Sequence, residues 1–143
     1  MKKRIISLLI VCILVLSGCG KNRYPDLPKD AIAFKTGEEM GIVYNKREYV
    51  CFGTIGKTMK NSEVDKCIGY IIQDENNSSV PDENDKDTRV YTLKSDENNN
   101  FLMVYYVGTT LMNQPEFYRA IDTKGENISI PEYIEDLDYE WWK

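Results

Sequence analysis

Short stretches of strand-forming residues alternate with turn-forming residues through the body of the chain. Residues 68–73 and 88–94 alternate in character, the pattern of a strand with two different faces. Residues 101–107 are apolar or aromatic throughout, which predicts a strand buried on both faces. By these criteria the sequence predicts six or seven strands, over residues 31–35, 41–44, 47–54, 68–73, 88–94, 101–107 and 117–121.

Turn and helix signals lie between and after these segments. Asn45-Lys46 fits a two-residue hairpin loop, and Ser62-Glu63-Val64-Asp65 has the pattern of a capped helical turn. Residues 131–137 begin with proline and place Ile134 and Leu137 at helical spacing, which predicts a short helix. We therefore expect an all-β or β-rich α+β fold, in which a small antiparallel meander closes into a barrel or sandwich with a short C-terminal helix.

Two hydrophilic segments, residues 74–87 and 95–100, interrupt the strands and predict surface loops. Their acidic and amide side chains suggest calcium, because this cation takes oxygen ligands at alternate positions. The first segment, however, places Lys86 where an oxygen ligand is needed, and the second places Phe101 where glycine is needed. We therefore expect no metal site.

The composition narrows the chemistry further. The chain of 143 residues has no histidine, which excludes catalysis and metal binding by that side chain. Its 23 acidic residues outnumber its 18 basic ones, and this disfavours nucleic acid as a partner because phosphate binding needs a basic surface. The least favoured hypothesis is a minimal carboxylate hydrolase, which needs a pair of carboxylates. The pairs adjacent in the sequence are Glu38-Glu39 and Glu135-Asp136. We expect a protein that is not an enzyme and needs no cofactor.

The N-terminus has the parts of an export signal. Basic residues 2–4 precede the apolar residues 5–16, a stretch too short to span a bilayer comfortably. The tetrapeptide Leu16-Ser17-Gly18-Cys19 that follows resembles the lipobox of bacterial lipoproteins. That resemblance implies cleavage before Cys19 and a diacylglycerol on its thiol, with the protein held on the extracytoplasmic face of the cell membrane. Cleavage would also remove three basic residues and no acidic one from a chain of net charge −5.

These features divide the chain into three parts. Residues 1–18 are predicted as the lipoprotein signal peptide, residues 19–30 as a lipidated tether, and residues 31–143 as one β-rich domain. Segments of the body, near residue 70, at 87–93 and at 113–118, resemble small lipoproteins of low-GC Gram-positive bacteria. This resemblance implies no activity.

Cys51 and Cys67 are the thiols that remain once Cys12 leaves with the signal peptide and Cys19 carries lipid. An exported domain with two cysteines often has a disulfide, because its compartment is oxidising. A free cysteine is equally often a small buried apolar residue. Both alternatives stay open for Cys51 and Cys67.

Aromatic and basic residues late in the chain are the candidates for a binding surface. Tyr and Trp side chains favour binding surfaces, but they can equally seal the open end of a barrel. Arg119 lies in a predicted strand, where it would contact a partner or form half of a cross-strand ion pair. The candidate residues are Tyr105, Tyr106, Arg119, Trp141 and Trp142.

Together these features favour a non-enzymatic, membrane-tethered module that binds a protein or another envelope component. The alternative is a small-molecule or cell-wall glycan sensor that uses the C-terminal tryptophans for stacking.

Overall fold

The computed structural model describes residues 24–36, 41–72, 86–108 and 114–137. Strands dominate these residues, and they form one sheet of seven strands that is nearly closed into a barrel. The strands are β1 (Ile32–Lys35), β2 (Ile42–Tyr44), β3 (Arg47–Thr54), β4 (Val64–Ile72), β5 (Thr88–Leu93), β6 (Phe101–Tyr106) and β7 (Glu116–Ala120). The predicted fold class is confirmed.

The strand order of the sheet is β1-β4-β5-β6-β7-β3-β2. Strands β4 to β7 form an antiparallel meander, and the β2–β3 hairpin extends it beyond β7. Strand β1 is the exception to the expected meander, because it pairs with β4 in parallel. The C-terminal helix lies where it was predicted, at Glu132–Leu137, and it is a 3-10 helix. A second 3-10 helix, Ile121–Thr123, follows β7 directly.

The turn between β2 and β3 matches its prediction. Asn45 and Lys46 have φ angles of 51° and 65°, and the flanking residues Tyr44 and Arg47 are cross-strand partners. Two successive residues with positive φ define the type I′ turn, whose twist matches that of the flanking strands. The predicted two-residue hairpin is therefore confirmed.

The predicted helical turn at Ser62-Glu63-Val64-Asp65 is wrong. Val64 begins β4 and pairs with Leu93 of β5, and both side chains are buried. The local capping pattern is overridden because a β-branched apolar residue gains more from burial in the sheet than from one turn of helix.

Two hydrophobic clusters lie on opposite faces of the sheet. Alternation along β6 places Phe101 and Met103 in one cluster and Leu102 and Val104 in the other, so the strand is buried on both faces as predicted. The second cluster, here called the inner cluster, contains residues from all seven strands, including β1 and β2 at the two ends of the sheet. It therefore fills the concave side of the curled sheet.

The other cluster, here called the outer cluster, is covered by segments that are not strands. The segment before β1 contributes Tyr24 and Leu27, the connection between β3 and β4 contributes Met59, and the C-terminal 3-10 helix contributes Ile134 and Leu137. Tyr24 is only 5% exposed. Tyr24 and Leu27, which lie before the predicted domain start at residue 31, thus pack against the folded domain.

Candidate functional site

The tyrosines predicted to form a binding surface point in different directions. Tyr105 packs against the outer cluster, where its ring meets the Tyr24 ring edge-on at a centroid distance of 4.9 Å. Its neighbour Tyr106 points to the other face of β6 and is 37% exposed. The two residues therefore do not share one surface. Trp141, Trp142 and the predicted lipidation residue Cys19 lie outside the described residues.

Arg119 is an interior residue and not a surface contact. It is 2% exposed, and its guanidinium donates to the hydroxyl and the carbonyl oxygen of Thr123 at 2.9 and 3.0 Å. The same group lies over the rings of Phe52 and Phe101, 5.5 and 5.7 Å from their centroids. Hydrogen bonds and aromatic faces thus stabilise this charge inside the domain.

A second arginine, Arg89, lies at the margin of the outer cluster. Its cross-strand neighbours are Tyr70 and Tyr105, and none of the described residues forms an ion pair with it. Nearby, Tyr91 is completely buried, and burial raises the pKa of its hydroxyl even though the charge of Arg89 acts in the opposite direction. Tyr91 therefore stays protonated at neutral pH and cannot serve as a general base.

The two cysteines are free thiols, so the predicted disulfide alternative does not hold in this structure. Cys51 lies on β3 and is exposed, whereas Cys67 lies on β4 and is buried in the outer cluster. Three other strands separate β3 from β4 in the sheet. Burial is the main cause that raises the pKa of both thiols, and Glu116 raises that of Cys51 further. Neither thiol is therefore activated as a nucleophile.

Alkylation kinetics should distinguish these two thiols. We expect Cys51 to be modified in the folded protein and Cys67 only after unfolding, because access and thiolate fraction control the rate. Intact mass after treatment with N-ethylmaleimide at neutral pH, with and without denaturant and without reductant, measures this. Equal and fast modification of both thiols in the folded protein, or modification only after reduction, would contradict the assignment.

Arg47 ties together three segments at one end of the sheet. Its guanidinium donates to both carboxylate oxygens of Asp122 at 2.7 and 2.8 Å. It also donates to the carbonyl oxygens of Asn98 and Asn99 at 2.8 and 3.2 Å and to the side chain of Asn100 at 3.1 Å. No local sequence pattern indicates this network, because Arg47 is far from its acceptors along the chain. The hydrogen bond from Arg47 also holds the pKa of Asp122 below its usual value.

Replacing Arg47 with methionine should lower the free energy of unfolding by about 1–3 kcal/mol at neutral pH. Most of this loss comes from the hydrogen bonds to the carbonyl oxygens of Asn98 and Asn99, because Asp122 is largely exposed and solvent screens its ion pair with Arg47. Urea denaturation measures the effect, and Lys46→Met in the same hairpin is the matched control with little expected change.

The effect of Arg47→Met should also depend on pH. The depressed pKa of Asp122 means that its ion pair stabilises the fold above about pH 4, the carboxyl's value in the unfolded chain. That contribution is lost as the pH falls through the lower folded-state pKa. The difference between Arg47→Met and the unchanged protein should therefore shrink in acid, and a difference that grows there would contradict this assignment.

Two shallow cavities occur among the described residues. One of about 260 Å³ lies beside the β5–β6 loop, and one of about 290 Å³ lies between the β3–β4 connection and the C-terminal 3-10 helix. The buried carboxylate of Asp96 in the first cavity accepts the backbone N–H of Phe101 at 2.6 Å, so it stabilises the loop. The described residues contain no cluster of side chains that could hold a metal ion.

The two ends of the sheet form a seam, defined here as the facing edges of β1 and β2, which are consecutive in sequence but not paired. Ile32 lies on the same side of β1 as the buried Phe34, yet it is 43% exposed, so solvent reaches the inner side of the sheet here. Val43 points outward from β2 and is 62% exposed. The rings of Phe34 and Tyr44 come within 6.3 Å across the seam. Apolar side chains and free backbone edges thus coincide along it.

The chain matches no protein-family model, no curated protein and no solved structure. Functional inference therefore depends on the residues of this chain. No helix in the described ranges has the length and apolar character needed to cross a membrane.

Proposed function

We propose that the protein is a lipid-anchored extracytoplasmic lipoprotein whose β domain binds another envelope protein without catalysis. The observation that carries the binding role is the seam, whose unpaired strand edges carry exposed Ile32 on the inner side of β1 and exposed Val43 on the outer side of β2. The anchor is supported by the short apolar segment and by Cys19 at the end of the lipobox-like tetrapeptide.

The seam suits a partner that adds an extended strand. Unpaired N–H and C=O groups on an edge strand are a template for another strand, and backbone hydrogen bonds then supply much of the affinity. A strand bound along the edge of β1 would cover Ile32, which the curled sheet leaves partly in water. Because β1 and β2 have only four and three residues, the edges are too short to favour indiscriminate pairing. The partner segment is therefore short, extended and apolar at alternate positions.

Site-specific photo-crosslinking in cells tests the binding role. A photoreactive amino acid at Val43 should give a discrete adduct with a partner segment, which mass spectrometry of the crosslinked peptide identifies. The control is the same amino acid at Glu97, an exposed position in the β5–β6 loop. The Val43 adduct should disappear when Ile32→Lys places a charge at the seam. Identical products from Val43 and Glu97, or an adduct that survives Ile32→Lys, would contradict binding at the seam.

The anchor has a separate test. The intact mass of the detergent-extracted protein should correspond to a chain that starts at Cys19 with added acyl groups. A chain without acyl mass, or one cleaved elsewhere, would contradict the lipoprotein proposal. Because this measurement does not involve the seam, the two parts of the proposal fail independently.

A further inference from the structure

The folded domain begins very close to the proposed lipid. Four residues separate Cys19 from Tyr24 in the sequence. A fully extended chain advances about 3.3–3.6 Å per residue, so the two Cα atoms are at most about 18 Å apart. The polar headgroup layer takes up about 6 Å of this distance. Tyr24 therefore stays within about 12 Å of the headgroup surface even with the tether fully extended.

Tyr24 is fixed to the domain and does not extend the tether. Its ring packs on Tyr91 and Tyr105, with centroid distances of 5.8 and 4.9 Å. Its hydroxyl donates to the carbonyl oxygen of Met59 at 3.1 Å and accepts the N–H of the same residue at 3.0 Å. A chain held by ring packing and two hydrogen bonds to one backbone residue has little freedom to peel away. The tether thus attaches to a defined face of the domain.

Two exposed lysines flank the residue that Tyr24 binds. The connection between β3 and β4 buries Ile55 and Met59 in the outer cluster, while Lys57 and Lys60 point into solvent. Glu63 and Glu132 line the cavity beside these lysines. The Glu63 carboxylate accepts the backbone N–H of Lys60 at 2.9 Å, so it is directed toward the loop backbone. The two ammonium groups are thus presented next to the point where the chain enters the domain.

We propose that the face formed by Tyr24 and the Lys57–Lys60 loop lies against the membrane, with both lysines contacting anionic lipid headgroups. This inference rests on the proposed lipid anchor at Cys19. Opposite charge near a membrane surface attracts within about one Debye length, roughly 8 Å at physiological salt, and the short tether allows the loop to reach that range. Tyr24 packs on β5 and β6 in the middle of the sheet order, whereas β1 and β2 meet on the far side of the curl. The seam therefore faces away from the bilayer and stays open to a partner.

Energy transfer from the reconstituted lipidated chain to headgroup-labelled lipid tests this orientation. A donor dye is attached at Thr58→Cys, an exposed position between the two lysines, or at Val43→Cys, each in a Cys51→Ser background, and the vesicles contain phosphatidylglycerol and phosphatidylcholine. Buried Cys67 is not expected to label in the folded protein. Because opposite sides of a domain of this length are about 30 Å apart, we expect clearly stronger transfer from position 58 than from position 43.

Charge reversal tests the contribution of the lysines. With the dye at Thr58→Cys, Lys57→Glu combined with Lys60→Glu should lower the ratio of apposed to detached domain by at least about fivefold per lysine, because each substitution removes a positive charge and adds a negative one. The matched pair, Lys35→Glu with Lys46→Glu, changes two exposed lysines on the seam side of the domain and should leave transfer unchanged. Equal transfer from positions 58 and 43, or transfer that neither charge-reversal pair changes, overturns the orientation in protein with confirmed acyl mass and leaves the anchor intact. Protein without acyl mass overturns the anchor and, with it, this inference.

Discussion

Replacing Tyr24 with alanine should lower the free energy of unfolding by about 3–5 kcal/mol, the range for truncating a buried aromatic residue. Two losses add to this effect. The substitution leaves a cavity against Tyr91 and Tyr105, and it removes the hydroxyl that bonds both backbone groups of Met59. Chemical denaturation followed by circular dichroism measures the change. The result matters because Tyr24 lies in a segment that composition alone assigns to a flexible tether.

Two further variants separate the causes of this loss. Tyr24→Phe keeps the ring and removes the hydroxyl, and we expect a loss of about 1–3 kcal/mol because the Met59 backbone groups are left buried without this partner. Tyr106→Ala is the control on a partly exposed tyrosine and should cost about 1 kcal/mol or less. If Tyr24→Ala cost no more than Tyr106→Ala, the segment before β1 would be a tether after all.

The strands were predictable because their signals are local. Period-two alternation marked β4 and β5, a continuous apolar run marked β6, and strand-forming residues between turn formers marked the others, all within a few residues of the observed strands. The uninterrupted apolar run of β6 correctly indicated burial on both faces. The Asn45-Lys46 turn was also accessible, since two polar residues separate two strand-like segments and asparagine favours positive φ, even though Lys46 stands where glycine is preferred.

The features that the sequence did not indicate depend on contacts between distant residues. Tyr24 and Leu27 are isolated apolar residues between prolines and charges, so no periodicity shows that they cover the outer cluster. For Arg119 the sequence indicated which side of β7 the residue lies on, but not that the side chain is buried. Alternation places it on the same side of β7 as Phe117, which faces the outer cluster, but the Phe52 and Phe101 rings beneath its guanidinium come from other strands.

The position of β1 is a third feature beyond local pattern. Consecutive short strands usually pair as antiparallel neighbours, yet β1 bypasses β2 and joins β4 in parallel. The pairing places Ile32 beside Gly69, at an irregularity in the β4–β5 ladder. A side chain at this position would occupy the space where the β1 backbone lies, so a glycine permits the close approach.

Replacing Gly69 with alanine should therefore displace β1 and cost about 3 kcal/mol or more. The added Cβ would overlap the carbonyl oxygen of Ile32 and lie 2.7 Å from the Phe34 ring, and backbone atoms cannot yield as a flexible side-chain end does. Denaturation measures the loss, and hydrogen exchange should show faster exchange across β1. If the seam binds a partner strand, the same variant should also reduce the crosslink from Val43.

Gly56→Ala is the matched control, because a Cβ at that exposed glycine meets no atom within 4 Å. It should change stability by less than about 1 kcal/mol, in either direction. The contrast between the two glycines isolates the steric cause, since both substitutions reduce backbone entropy in the unfolded chain by the same amount. Equal stability of the two variants would mean that β1 tolerates a side chain beneath it and that Gly69 does not set its position. A loss confined to Gly69→Ala, with faster exchange in β1, would show that one end of the seam is held in place by the absence of a single side chain.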